Sequence, residues 1–289
     1  MQLLVKTYCY RSLLAFVLAS AAAVVAPGQT PAPAAPPPKL GSTVFKWENF
    51  KPQPTGVGVR RDVANQPTAT LERFECHIGT LNPRLMSHPP HRHPQEEFII
   101  IKEGTLDVFI NGKVQRVGPG SLFFFAANDL HNVTNVGDQP ATYLVFNLTT
   151  VATHTAPAQG AAAAALPGKL ASTVFDWEKL APKATKTGER REVVNSPTVT
   201  CASFECHVTT LKPGEVPHAP HQHPDEERVI VKEGQMEVTI NGVVQQAGPG
   251  SILFYGANDE HGMKNVGATM ATYHVVRIVT EAMPKAPAT

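Results

Sequence analysis

The sequence predicts an all-β protein made of two copies of one antiparallel sandwich or barrel. Three observations carry this. Proline (26) and glycine (21) are plentiful, which favours turns and strands over long helices. Short runs rich in β-branched and aromatic residues alternate with turn residues. The whole pattern then recurs without a gap at an offset of 130, as from Phe45 to Phe175.

Each half reads in the same order. "VFKWE" opens the first copy and "VFDWE" the second, placing Trp47 opposite Trp177. Arg60-Arg61 matches Arg190-Arg191, and "FECH" at 74–77 returns at 204–207. "EFIIIKEGTLDVFINGKVQRVGPGSLFFF" reads as strand, turn, strand, Asn-Gly hairpin, strand, turn, strand. Asn111-Gly112 and Asn241-Gly242 suit a two-residue type I′ turn, in which both positions need positive φ. "NVTNVGDQPATYLVFNLTT" adds two more strands. Many short strands with Gly/Pro turns predict a sandwich or barrel, with helix a minor component.

The domain plan follows. Lys6 and Arg11 precede the apolar run from Ser12 to Ala26, so residues 1–26 read as a signal peptide. Pro27 suits a cut poorly, and an uncleaved N-terminal anchor is the alternative. The run is shorter than the roughly 20 residues of a spanning helix. Export to a periplasmic or extracellular location is expected. Residues 27–38 form a Pro/Ala-rich linker. The two domains are expected at 39–152 and 169–281, joined by an Ala-rich segment, 153–168, as flexible linker or short helix.

Composition excludes some classes. The 289 residues are 42% hydrophobic and 17% charged, with a net charge of +1. No block of Lys and Arg stands out, so neither nucleic acid nor an anionic membrane surface is an expected partner. Past the first segment only Cys76, Cys201 and Cys206 remain, too few for a disulfide framework. They are expected to be buried thiols, with Cys201 and Cys206 on one strand, too far apart to bridge.

The chemistry is concentrated in "HPPHRHPQEE" at 88–97 and "HAPHQHPDEE" at 218–227. On an extended segment, side chains at i, i+2 and i+6 share a face. His91, His93 and Glu97 fit that spacing, while Glu96 points the other way. His131 on a later strand is the candidate fourth ligand, and the second copy supplies His221, His223, Glu227 and His261. Imidazoles and a carboxylate converging on one face are ligands for a divalent transition metal. Surface histidines on loops are the bland alternative, which the duplicated spacing disfavours.

These residues carry a resemblance. The stretches "HRHPQEEFIIIKEG" and "HQHPDEERVIVKEG" resemble the first motif of the cupin superfamily, H-x-H-x3,4-E-x6-G. "GSLFFFAANDLHNVTN" and "GSILFYGANDEHGMKN" resemble its second motif, with Ala126 and Asn128, and Gly256 and Asn258, in place of its Pro and Gly. The first motif's opening glycine is also missing, at Leu85 and Glu215. The chain is thus similar to a bicupin over nearly all of residues 40–280. The resemblance implies two tandem jelly-roll barrels, each with a metal in its mouth. Mn, Fe, Ni, Cu, Co or Zn would suit the His₃Glu set. It also implies a small-molecule substrate, barrels packed against each other, and an optional homo-oligomer.

The reaction expected first is that of an oxygen-using dioxygenase or oxidase acting on a small hydroxylated or enolisable compound. A non-redox decarboxylase, isomerase or lyase, and a non-catalytic metal- or ligand-binding protein, are the alternatives. Glu97 and Glu227 are candidates to double as ligand and base. His88 and His218 stand where oxalate decarboxylase-like bicupins resemble one another in an arginine, and are candidate general bases or anion donors. Arg60-Arg61 and Arg190-Arg191 are expected to pair with Glu75 and Glu205 across strands, or else to bind an anion. Glu75/His77 and Glu205/His207 alternate with Phe74/Cys76 and Phe204/Cys206. The default sends the polar set outward; the alternative places a polar pair at the substrate. One parity class of Phe123, Phe124, Phe125, Phe254 and Tyr255 is expected to wall the pocket. Phe98 against Arg228, and Leu130 against Glu260, are expected to make the flanks of the two sites differ.

Overall fold

The structure, a computed structural model, describes residues 37–157 and 166–284. The signal or anchor segment 1–26, most of the linker 27–38 and part of the joint lie outside them. The first half contributes β1 (Thr43–Phe45), β2 (Gln53–Thr55), β3 (Gly58–Gln66), β4 (Arg73–Leu81), β5 (Glu96–Glu103), β6 (Leu106–Ile110), β7 (Lys113–Val117), β8 (Leu122–Phe125), β9 (His131–Asn135) and β10 (Ala141–Thr149). The second contributes β11 (Thr173–Phe175), β12 (Lys183–Ala184), β13 (Gly188–Ser196), β14 (Ser203–Leu211), β15 (Glu226–Glu233), β16 (Met236–Ile240), β17 (Val243–Ala247), β18 (Ile252–Tyr255), β19 (His261–Asn265) and β20 (Ala271–Val279). Helix is limited, among the described residues, to short 3-10 turns such as Trp47–Asn49 and Val151–Thr155. The fold is two tandem jelly-roll barrels, each a seven-stranded sheet against a three-stranded one.

The halves exchange their first strands. β1 pairs antiparallel with β18 of the second half, and β11 pairs with β8 of the first. Each large sheet therefore contains one strand of the other copy. The repeated "VF-x-W" segment makes this crossing. The Trp47 ring lies where a Cβ on Gly250 would stand, 2.6 Å from it, and Trp177 does the same at Gly120. Both glycines have φ of +86°, so any side chain there would be strained as well as blocked. The Trp47 and Trp177 amides donate to Ser251 and Ser121 hydroxyls.

Alternation along β5 and β15 divides the core. Phe98, Ile100, Ile230 and their neighbours join one hydrophobic cluster fed by both halves, including Phe74, Phe146, Phe204 and Val276. Ile99 and Ile101 face the first barrel's interior, and Val229 and Val231 the second's. Arg228 is fully buried in the shared cluster, bonded to Glu226 at 2.8 Å and lying over the rings of Phe74 and Phe254. The expectation that Phe98 and Arg228 flank the two sites is therefore wrong. Strand parity turns both away from the barrel mouths and into the contact between barrels. Leu130 and Glu260 line neither cavity.

Two carboxylates lock the halves together. Glu96 accepts from the Thr198 hydroxyl (2.5 Å), the Thr200 hydroxyl (2.6 Å) and the Val199 amide (2.9 Å). Glu226 accepts from the Thr68 hydroxyl and the Thr70 amide. Cys76, Cys201 and Cys206 are free and buried as expected. Cys201 precedes β14 rather than lying in it, because its amide is held in a turn by the Thr198 hydroxyl.

Two outcomes test this interface. Arg228→Ala leaves the Glu226 charge buried and removes the guanidinium from between two rings; it should cost about 3–5 kcal/mol in denaturant unfolding. His274 is fully buried and bonds the Gly120 carbonyl from Nε2 at 2.9 Å, with Nδ1 unpartnered. Burial, joined by the Lys232 charge, pushes its pKa down to about 4. An unfolded histidine titrates near 6.5, so only the unfolded state takes up this proton between those values. Stability from His274 is thus complete above about pH 6.5 and lost as pH falls towards 4, by up to roughly 3 kcal/mol. His274→Leu, the residue type of the matching Leu144, should flatten the stability–pH curve over that window.

Candidate metal centres

The first three histidines are positioned by backbone pairing across the barrel mouth. His91 and His131 form an isolated antiparallel bridge, with reciprocal amide–carbonyl bonds of 3.1 and 3.0 Å. The His93 carbonyl accepts from the Asn128 amide at 2.8 Å. β5 begins only at Glu96. Strand parity therefore accounts for Glu97 facing inward and Glu96 outward, while the bridge to His131, not an unbroken strand, places His91 and His93. Asn128 and Asn258 have φ of +64° and +65°, a conformation that asparagine tolerates better than most residues. Asparagine thus fills the turn position where the resemblance expects glycine.

The result is the same constellation twice. The ligand atoms of His91, His93 and His131 lie within 4.8 Å of one another, as do those of His221, His223 and His261. Glu97 brings Oε2 to 3.6 Å from His93 Nε2, and Glu227 to 3.5 Å from His223 Nε2. The Nδ1 atoms of His93, His131, His223 and His261 face the backbone carbonyls of Gln95, Asp129, Asp225 and Asp259 at 2.8–2.9 Å. A carbonyl only accepts, so Nδ1 carries a proton, and in the neutral ring Nε2 keeps the lone pair. The Nε2 atoms of His131, His223 and His261 are buried without a partner. Orphaned acceptors aimed at a common point fit a metal ion well.

At His131 and His221 electrostatics agree with that chemistry. Burial holds His131 down to about 4, and burial with the neighbouring His218 and His261 holds His221 there too. These imidazoles are neutral at neutral pH, as ligands must be. Burial would raise Glu97 and Glu227, but the His93 and His223 contacts and the nearby imidazoles outweigh it and lower both. His93 and His223 go the other way: against burial, Glu97 raises His93, and Asp225 with Glu227 raises His223 to about 9, so a cation must displace a proton from these two rings to be held there.

Above each cluster opens a cavity, of about 230 Å³ in the first half and 410 Å³ in the second. Phe125 walls the first and stacks on His131 at 4.1 Å; Tyr255 stacks on His261 at the same distance. Phe124 and Phe254 belong to the other parity class, buried between the barrels or against Arg228. His88 and His218 are exposed at the two rims, edge-on to His91 and His221 at 4.1 and 4.3 Å.

The default placement of the "FECH" residues is overturned. His77 lines the first cavity, and Glu205 and His207 line the second. Phe74, Cys76, Phe204 and Cys206 fill the cluster between the barrels. The outer face of β4 and β14 is not solvent but the other barrel, so the apolar set goes there and the polar set faces the cavity. Arg60 does pair with Glu75, at 2.7 Å, and Arg190 approaches Glu205 at 3.6 Å. Arg61 and Arg191 lie over Trp47 and Trp177. Sequence reasoning missed Tyr143 and Tyr273, which line the cavities; Gly79 on β4 marks where the Tyr143 ring packs, 2.8 Å from where a Cβ would stand.

Comparison with known proteins decides the family. The cupin domain model matches residues 77–147 and again 207–277. The chain is a tandem cupin. The structure of Ylba from E. coli superposes with a TM-score of 0.64 at 12% identity, covering 82% of this chain and 90% of that one. The Lactobacillus farciminis oxalate decarboxylase formate complex gives 0.61 at 16%, covering 85% and 88%. AerE from Microcystis aeruginosa gives 0.59 at 16%, covering 80% and 98%. At these identities the likeness concerns the fold. A search of curated proteins returns no match.

If the clusters hold metal independently, His131→Ala should lower bound metal from about two atoms per chain to about one, and adding His261→Ala should remove the rest. Elemental analysis of the purified variants reads this directly.

Proposed function

We propose that this bicupin is an exported metal-dependent enzyme with two sites, acting with oxygen on a small hydroxylated or enolisable compound. His91, His93, Glu97 and His131 would hold one divalent transition metal, and His221, His223, Glu227 and His261 the other. The observation that carries the reading is the convergence, once in each half, of three histidines whose ligand atoms lie within 4.8 Å of one another, with the Nε2 atoms of His131, His223 and His261 buried without a hydrogen bond. A bound metal supplies Lewis acidity and, with Fe, Mn, Ni or Cu, oxygen chemistry.

The protein residues do the rest. Phe125, Ile99, Val133 and Val145 give the first cavity an apolar side that suits an aromatic or aliphatic body. Glu97, buried and held anionic, neutralises part of the charge a metal brings. His88, at the open rim, is placed to meet the polar end of an entering compound.

A non-redox decarboxylase, isomerase or lyase is the second reading. It is favoured by the larger second cavity, lined by Arg190 and Arg277, which suits an anionic substrate. Both arginines are already engaged, Arg190 by Glu192 and Arg277 by Asp225. No free guanidinium therefore waits for a dianion, which ranks this reading lower.

Elemental analysis followed by oxygen uptake on a panel of diphenols, enediols and 2-oxo acids tests the proposal. About two Fe, Mn, Ni or Cu atoms per chain and substrate-dependent uptake are expected, lost in His93→Ala/His223→Ala. Zinc alone with no uptake, but turnover of an acid, would establish the second reading instead.

A further inference from the structure

The "FECH" residues form a second piece of machinery in each site. His77 and Glu75 stand on β4, on its cavity-facing side. His77 Nδ1 is 2.8 Å from Glu75 Oε1. Glu75 is buried, and it is fixed from two more directions: Arg60 Nη2 donates to Oε1 at 2.7 Å and Asn147 Nδ2 to Oε2 at 3.0 Å. With His77, Arg60 and Asn147 supporting its charged form against burial, Glu75 is held down to about 2. An ionised carboxylate only accepts, so Nδ1 of His77 carries a proton, and in the neutral ring Nε2 is the atom left to accept one. The ring lies in the wall of the cavity that also contains Glu97, His88 and His131. The second copy repeats the pair, His207 Nδ1 to Glu205 Oε1 at 3.2 Å, in the wall of the second cavity.

We propose that His77 and His207 are the proton-transfer groups of the two sites, each oriented by its carboxylate, and that the sites select ligands bearing an ionisable hydroxyl. This rests on the metal-centre reading above. In the step, the ligand O–H bond breaks and its electron pair stays on oxygen. The proton goes to His77 Nε2, and Glu75 stabilises the imidazolium that forms. No oxidant or reductant is needed. Glu75 and Glu205 are positioning residues. The groups that surround His77 are Arg60 and Asp62 from β3, Glu75 beside it, Glu97 from β5, His131 from β9 and His88 from the rim. A merely structural ion-pair network would not need an imidazole facing the cavity; Arg60 and Asn147 already join β3, β4 and β10 through Glu75.

The test uses the full chain loaded with zinc, which is redox-silent, and 4-nitrocatechol as the probe, whose absorbance reports its ionisation. Measurements are made at a fixed pH where the free probe is protonated. The wild type should bind the probe in ionised form. His77→Gln/His207→Gln keeps a polar side chain that takes no proton; it should bind the probe at least about tenfold more weakly, without the ionised spectrum. Glu75→Gln/Glu205→Gln should fall between the two. Single variants should lose about half the signal, so an intact barrel in the same molecule reports on folding. Zinc content should stay near two atoms per chain throughout. Wild-type binding and ionisation in the histidine double variant would overturn the proposal while leaving the metal sites standing, and so would a zinc-loaded wild type that fails to ionise the probe. Failure to take up zinc would overturn the metal-centre reading itself.

Discussion

The alternation of side chains along β5 and β15 is the constraint from which the rest of the molecule follows. Successive residues on a strand point to opposite faces. On β5, Glu97, Ile99 and Ile101 enter the barrel, and Glu96, Phe98 and Ile100 enter the contact between barrels. One strand thus presents the candidate ligand Glu97 on one face and the interlocking carboxylate Glu96 on the other. A slip of one residue would put either Phe98 in the place of Glu97 or Gln95 in the place of Glu96, so that either the histidines or the Thr198–Thr200 turn would lose its carboxylate. The site and the interface are therefore specified by the same register.

The exchange of β1 and β11 adds a second coupling. Those strands border β18 and β8, whose far edges pair with β15 and β5. Ser42, just before β1, donates to Asp259 and accepts from the Gly256 amide; Ser172 makes the matching bonds to Asp129 and the Ala126 amide. Asp129 and Asp259 sit two residues before His131 and His261, and their carbonyls fix those rings. Each half therefore steadies the histidine turn of the other. Neither barrel has a complete large sheet or a fully braced site by itself.

Much of this was legible in the sequence. The 130-residue offset and the Asn-Gly hairpins hold in the structure, because each is a local pattern with one physical reading; strand parity accounts for Glu97 but not for His91 and His93, which the bridge to His131 places. What was not legible came from facing surfaces. Phe74 and Cys76 against Glu75 and His77 is an alternation with two solutions, and the sequence does not say that the outer face of β4 meets another barrel. Arg228 looked like a charge at a site flank; its burial over Phe74 and Phe254 depends on residues far along the chain. Trp47 and Trp177 stood out as repeated, but only the glycines at 250 and 120 reveal what they cover.

The differences between the copies cluster around the same groups. Asn147 reaches only Glu75, whereas its counterpart Arg277 grips Asp225 with bonds of 2.6 and 2.9 Å and extends to 3.6 Å from Glu205. Asp225 in turn stands 3.2 Å from His223 Nδ1, where the first copy has the neutral Gln95. In the second half a continuous chain of charge thus runs from the Glu205–His207 pair, through Arg277 and Asp225, to a candidate metal-facing imidazole. The first half breaks that chain with two amides. A carboxylate behind a ligating histidine raises its basicity, so the duplication kept the ligand types and changed what stands behind them. Two candidate sites with the same inner residues but different outer charges would hold a cation with different strength and accept different charge beside it.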